Sequence, residues 1–315
     1  MEYAVHKREY KRATIHYEMD RSEKSQCAFS VDMEKVLLLP HMPQYKEAIF
    51  TRRLVTFNET FARLGSDSAP LAIIWHEAIG GRKDENVSST WVTAIRHLAQ
   101  GRIGGSREII LWADNCSAQN KCWTLYTALC SLINSPDLEL DTITVKYLEP
   151  GHTFMSADSF HHKVELSIKQ CGQLHTYEDF VGVVEKVGTA TSMACSDFHS
   201  WPRSYGTSTR CKTERPLLEK VKVIRFQRGS VQMEWKSEHN EVSFRSAPFL
   251  RQKDERLIGL GVPIAFPQNE PRGIGSGKKN DIIRKLCRLM SPRSRGFWAD
   301  LPSSDNVADL NREFD

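Results

Sequence analysis

Glu108-Ile109-Ile110-Leu111-Trp112-Ala113-Asp114-Asn115-Cys116-Ser117-Ala118-Gln119-Asn120-Lys121 is the stretch on which the reading of this chain turns. A short apolar run ends in an acid, a polar turn follows, and a second apolar pattern begins. The first part predicts a buried strand, because it is continuous, bounded and too short for a helix. From Gln119 to Ile133 the residues Trp123, Tyr126, Leu129, Cys130 and Ile133 recur at helical spacing until Pro136 stops the pattern. Strand, acid, turn and helix in that order place Asp114 at the carboxyl end of a strand, where open α/β sheets bind ligands. Asn115, Gln119 and Asn120 then either orient that acid and contact a phosphate or cap the helix, as Asp114 or Ser117 also can.

Upstream, Ala28–Val36 alternates apolar with small or acidic residues, with Phe29, Val31 and Met33 on one face and Ser30, Asp32 and Glu34 on the other. Further strands are expected around Leu54–Phe57 and Pro70–Trp75. A helix is expected over Val87–Leu98, with Ser88 and Ser89 as its caps. Downstream, Thr142–Leu148 reads as a strand and Ser156–Lys169 as a helix. Val221–Arg228 and Ser230–Trp235 read as a strand pair around Gly229, Glu241–Phe244 as a further strand, and Asn280–Met290 as a short basic helix. The organisation expected is a polar helical lead-in over 1–25, a main domain over 26–200, a basic extension over 201–300 and an acidic, frayed tail over 301–315.

Composition narrows the function classes. Of 315 residues, 40% are apolar and 26% charged, the balance of a chain that buries a core. No apolar run reaches the roughly 18 residues of a membrane span, and the opening MEYAVHKREYKR has no apolar core of a secretory signal. Eight cysteines occur without a CxxC pair, which favours reduced thiols over a Cys-rich zinc site. No GxSxG elbow, phosphate-binding GxxxxGK[ST] loop or dinucleotide-binding glycine fingerprint is present. The net charge of +4 is unevenly spread: residues 201–300 carry +11 and residues 1–200 carry −4. Such a basic block suits a phosphate backbone or a solvated surface equally.

Three strands joined without helices, then two alternating with helices, make a mixed sheet whose order resembles the ribonuclease H-like fold: a five-stranded sheet flanked by helices, here with a C-terminal β-rich and helical extension. Catalytic members of that fold carry an acid on the first strand, another at the end of the fourth, and a third at or in the helix after the fifth. Asp32, Asp114 and either Asp158 or Glu165 occupy those slots. Carboxylates are needed there because phosphodiester chemistry on this architecture uses paired hard cations, Mg²⁺ or Mn²⁺. On a helix, 158, 162 and 165 share a face and 161 lies one turn from 165. Asp158, His161 and His162 also permit a zinc reading. Glu34 is a weaker substitute for Asp32, and Glu77 a rim acid or a plain loop charge.

The segments D-N-C-x-x-Q-N-K at 114–121 and G-H-T-x-x-x-x-D-x-F-H-x-x-V-E at 151–165 are similar to those of a transposon-derived family of animal proteins. The run V-D-M-x-K-V-L-x-L-P at 31–40, W-x-E at 75–77 and K-K-x-D-I at 278–282 extend the likeness over roughly 26–300. The resemblance implies a transposase-type domain with metal-binding acids at Asp32, Asp114, and Asp158 or Glu165. Asn115, Gln119, Asn120, His152 and His162 would support them. It implies DNA as partner, and the +11 charge of 201–300 suggests that this region holds the phosphate backbone, with Arg225, Arg228 and Lys236 as candidate contacts. It also implies a nuclear location and the multimeric assembly transposases often adopt. Relatives commonly carry Cys/His-rich regions ahead of this domain, so a truncated or domesticated copy is expected. A non-catalytic nucleic-acid-binding or protein-interaction protein on the same fold is the alternative, and a structure-directed RNA nuclease the third reading.

Overall fold

The computed structural model describes residues 2–101, 106–116, 119–149, 155–202 and 213–313. Helix α1 (Glu2–Ser22) precedes the strands β1 (Ala28–Met33) and β2 (Leu37–Leu39), the short α2 (Lys46–Phe50), β3 (Leu54–Arg63) and β4 (Leu71–His76). Then α3 (Asp84–Gln100), β5 (Glu108–Ala113), α4 (Trp123–Ile133), β6 (Thr142–Tyr147) and α5 (Ser156–Cys171) alternate. They are followed by α6 (Tyr177–Glu185), β7 (Thr189–Ser192), β8 (His199–Ser200), β9 (Val223–Gln227), β10 (Met233–Lys236) and β11 (Arg245–Ala247). The C-terminal part adds α7 (Gln252–Gly259), β12 (Phe266–Pro267), α8 (Ser276–Asp281) and α9 (Arg295–Asp300).

The strands form a large mixed sheet of order β11-β10-β9-β6-β5-β1-β3-β4-β7, with β2 on β3. Within it β1, β3 and β4 run antiparallel to their neighbours in turn, while β5 is parallel to β1 and β6 parallel to β5. The expected five strands are thus the centre of a ten-stranded sheet. The C-terminal strands are not a separate layer. Thr142–Lys146 of β6 pairs antiparallel with Val223–Gln227 of β9, which continues the ladder where the edge of β6 would otherwise expose its backbone groups.

Both faces of the sheet are covered. Phe29, Val31, Leu111, Ile143 and Val145 pack with Trp91, Leu125 and Leu129 of α3 and α4 on one side. Ala72 and Ile74 pack with Phe160, Val164 and Ile168 of α5 and Phe180 of α6 on the other. Helix α1 lies beside α5, its Ala13 and Tyr17 against Ala28 and Trp112. Trp75, Trp91, Trp112 and Trp298 are fully buried. Each removes on the order of 150–250 Å² from water, at most about 4–6 kcal/mol of gross hydrophobic gain.

Several local readings are corrected. Strand β3 continues six residues past Phe57 through Asn58-Glu59-Thr60, all buried. Ser88 and Ser89 do not cap α3: the helix starts at Asp84, and their hydroxyls donate to the carbonyls of Asp84 and Glu85. Helix α4 begins at Trp123 with Cys122 as its cap, and residues 241–244 are not a strand, since β11 starts at Arg245. Nor is all of 301–315 frayed. Leu310 is buried, and Asp309 accepts a hydrogen bond from Lys278 Nζ at 3.1 Å.

Candidate metal centre

Parallel pairing of β1 with β5 sets Val31 beside Ala113. The next residues, Asp32 and Asp114, therefore stand on neighbouring strands on the same face, at the carboxyl ends of both. Strand β3 flanks β1 on its other side, with Thr60 opposite Asp32. Above this edge lies the first half of α5.

The N-terminus of α5 is pinned in three places. Ala157 N donates to Ser30 Oγ at 3.0 Å, Ser156 N to Tyr17 Oη at 3.1 Å, and Met155 N to Asp158 Oδ2 at 2.6 Å. Phe160 and Val164 then sink into the core and fix the helix rotation. That rotation turns Asp158 and His161, one turn apart, toward β1. Ligand atoms of Asp32, Asp158 and His161 lie within 4.8 Å of one another, the one such His/Cys/Asp/Glu grouping among the described residues.

The remaining expected residues fall around this cluster or away from it. Asp114 Oδ1 accepts from Asn120 Nδ2 at 2.7 Å and from Cys116 N at 3.2 Å, so Asn120 orients the acid rather than capping a helix. Asp114 acts on Asp32 through its charge but is outside the three-residue grouping. Asn115 Oδ1 accepts from the buried Lys121 Nζ at 2.7 Å. Gln119, with its amide oxygen turned toward Arg82, accepts from Nη2 at 3.0 Å. Glu165 and His162 are exposed on α5, though the charge of Glu165 still acts on Glu34 and His161. His152 lies outside the described residues. Glu77 is no rim acid: it is buried, bonded to Val55 N at 2.8 Å and paired with Lys278.

Burial, with charge second, explains the tuning. Asp32 is pushed up to about 7, first by burial and then by the negative charges of Asp114 and Asp158. Glu34 is likewise raised to about 7 by burial, against a hydrogen bond from Asn58. His161 is lowered to about 4 by burial and is neutral at pH 7, so its Nδ1, 3.7 Å from Asp32 Oδ2, makes no ion pair there. Crowded carboxylates beside a neutral imidazole are the donor set a divalent cation takes, and its charge would offset the repulsion that raises Asp32. The residues present therefore fit a metal ion.

Thr60 and Asn58 had no sequence signal as site residues. Their only trace is the polar triplet 58–60 inside an otherwise apolar strand. The basic trio is engaged within the fold. Arg225 pairs with Glu234 at 2.7 Å and lies over the Phe244 ring, and Lys236 donates to the Glu241 carbonyl at 2.7 Å. Arg228 donates to the carbonyls of Ser135, Leu138 and Leu140. No helix among the described residues is long and apolar enough to cross a membrane.

The chain matches no family model, no curated protein and no solved structure.

Proposed function

We propose that the chain is a ribonuclease H-like, transposon-derived domain whose site performs metal-dependent phosphodiester cleavage or strand transfer on DNA. The observation that carries the reading is the convergence of Asp32 and Asp158, with Asp114 on the adjoining strand end, at the carboxyl edge of β1 and β5. The central strand order β4-β3-β1-β5-β6, with β1, β3 and β4 antiparallel and β5 and β6 parallel to β1, supports the fold assignment.

Asp32 and Asp158 would hold Mg²⁺ or Mn²⁺, with Asp114 completing the acidic wall. Such ions, when bound, supply Lewis-acid activation of the attacking oxygen and stabilisation of the leaving one. Asn120 keeps one oxygen of Asp114 occupied and so fixes the direction of the other. The Met155 amide does the same for Asp158. A cavity of about 720 Å³ beside Gln119 is lined by Arg82, Lys83 and Arg272 as well as Glu85, and its basic side suits a phosphate backbone. A nuclear location and a multimeric assembly go with this reading.

The test is nicking of supercoiled plasmid in Mn²⁺ and in Mg²⁺ by the full chain and by Asp32→Asn and Asp114→Asn. Metal-dependent nicking abolished by either substitution supports the proposal, and nicking that survives both counts against it. A non-catalytic nucleic-acid-binding or interaction role on the same fold is favoured by one observation, the position of Asp114 outside the Asp32–Asp158–His161 grouping. Folded protein that binds DNA without cutting it would bring that reading forward.

A further inference from the structure

The proposed site contains a nitrogen donor that an all-carboxylate centre lacks. His161 Nε2 lies 3.0 Å from Thr60 Oγ1, Thr60 Oγ1 donates to Asn58 Oδ1 at 3.2 Å, and Asn58 Nδ2 donates to Glu34 Oε2 at 2.7 Å. The chain has a direction. Glu34 accepts from the amide nitrogen of Asn58, which fixes the amide oxygen toward Thr60. The single hydroxyl proton of Thr60 is committed to that oxygen, so Thr60 must accept from His161, and the ring proton sits on Nε2. The other nitrogen, Nδ1, carries the lone pair and is the one 3.7 Å from Asp32 Oδ2. A metal-ligating histidine that donates its second ring nitrogen to a fixed partner shows this same arrangement.

We infer that His161 is a metal ligand through Nδ1, held in that tautomer by Thr60, Asn58 and Glu34, and that the centre is therefore a mixed nitrogen–oxygen site selective for transition metals over Mg²⁺. The inference rests on the proposed metal site and deepens it. Imidazole nitrogen is a softer donor than carboxylate oxygen and favours first-row transition ions, whereas Mg²⁺ prefers oxygen alone. Thr60 and Asn58 are positioning residues: Thr60 bonds the ring and Asn58 bonds Thr60.

The test uses the full chain loaded with Mn²⁺ and read by electron spin echo modulation, which detects a nitrogen bound to the ion. Wild type is expected to show ¹⁴N modulation, which changes to the ¹⁵N pattern after labelling with ¹⁵N-histidine and disappears in His161→Gln. Labelling needs no substitution, so the readout survives even where a variant fails to fold. Calorimetry beside it is expected to show Mn²⁺ affinity falling about tenfold or more in His161→Gln, with Mg²⁺ affinity changing less. Thr60→Val is expected to weaken the modulation without abolishing Mn²⁺ binding. Mn²⁺ bound in an Asp32-dependent way but with no nitrogen modulation overturns this inference and leaves the carboxylate site standing. No Asp32-dependent binding by folded wild type overturns both.

Discussion

His161 Nδ1 lies 3.7 Å from Oδ2 of Asp32, bringing a helix residue over the end of the first strand. Neither group pays for the approach with an ion pair, because Asp32 is raised to about 7 and His161 lowered to about 4. With Asp158 beside them, these two groups form the cluster at the edge of β1 that could hold a metal ion.

The first prediction follows from Asp32 in metal-free protein. Its carboxyl ionises near 3.9 in the unfolded chain and at about 7 in the folded one. Between those values the unfolded state binds fewer protons, so stability falls as pH rises through about 4 to 7, and the loss persists above. Glu34, raised to about 7, acts in the same direction. Asp32→Asn is expected to match wild type at pH 4 and to exceed it at pH 8 by roughly 1–4 kcal/mol. Denaturant melts in chelator at pH 4, 6 and 8 measure this, and parallel profiles for the two proteins would count against it.

Glu59 gives a second. It is buried on the opposite face of β3 from Thr60 and raised to about 8 by that burial. Thr90 Oγ1 faces both the Val87 carbonyl at 2.7 Å and Glu59 Oε2 with one proton to give, and burial favours a protonated Glu59 carboxyl, which would supply the second proton for that close contact. Trp91 Nε1 donates to the other oxygen at 2.8 Å. Glu59→Gln reproduces both bonds and is expected to be neutral at pH 6 and stabilising at pH 9. Glu59→Ala leaves the indole N–H unpaired beside a cavity and is expected to cost about 2–4 kcal/mol. Equal losses for Gln and Ala in urea melts would contradict the assignment.

The C-terminal segment is tied to the sheet by a buried ion pair. Lys278 Nζ contacts Glu77 Oε1, and both side chains are almost fully buried. Lys278→Met leaves Glu77 without its closest cation, with Arg272 Nη1 remaining at 3.7 Å, and is expected to cost about 3–5 kcal/mol. Adding Glu77→Gln should recover part of that loss. Urea unfolding of the single and double variants checks it, and a double variant no better than the single would refute the pairing as the cause.

Arg228 separates a structural from a nucleic-acid role within the basic region. Its guanidinium serves three carbonyls of the 135–140 turn, so Arg228→Ala is expected to destabilise by about 1–3 kcal/mol. Under the DNA proposal, Arg225→Ala and Lys236→Ala should each reduce the salt slope of DNA binding by about 1. An unchanged slope in folded variants would remove them from the DNA contact.

Much of the centre of the fold was legible because its signals are local. The apolar run into Asp114, the alternation around Asp32 and the helical spacing after Ser156 each depend on residues close in sequence. The choice between Asp158 and Glu165 was not legible: the setting of α5 depends on the core that receives Phe160 and Val164 and on anchors to Ser30 and Tyr17, which are far away in the chain. The same holds for Asn58-Glu59-Thr60. A polar triplet argues against a buried strand until its partners, Glu34, Thr90, Trp91 and His161, are brought to it from three other segments. The joining of β9 to β6 is likewise a long-range pairing that neither strand announces alone.

The most direct measurement of the central claim is Mn²⁺ titration of the metal-free full chain by calorimetry, beside Asp32→Ala and an Asp32→Ala, Asp114→Ala double variant. The account predicts saturable binding by wild type and its loss in both variants, with all three folded by circular dichroism. Folded wild type that takes up no Mn²⁺, or variants that bind as wild type does, would contradict a metal centre at the edge of β1.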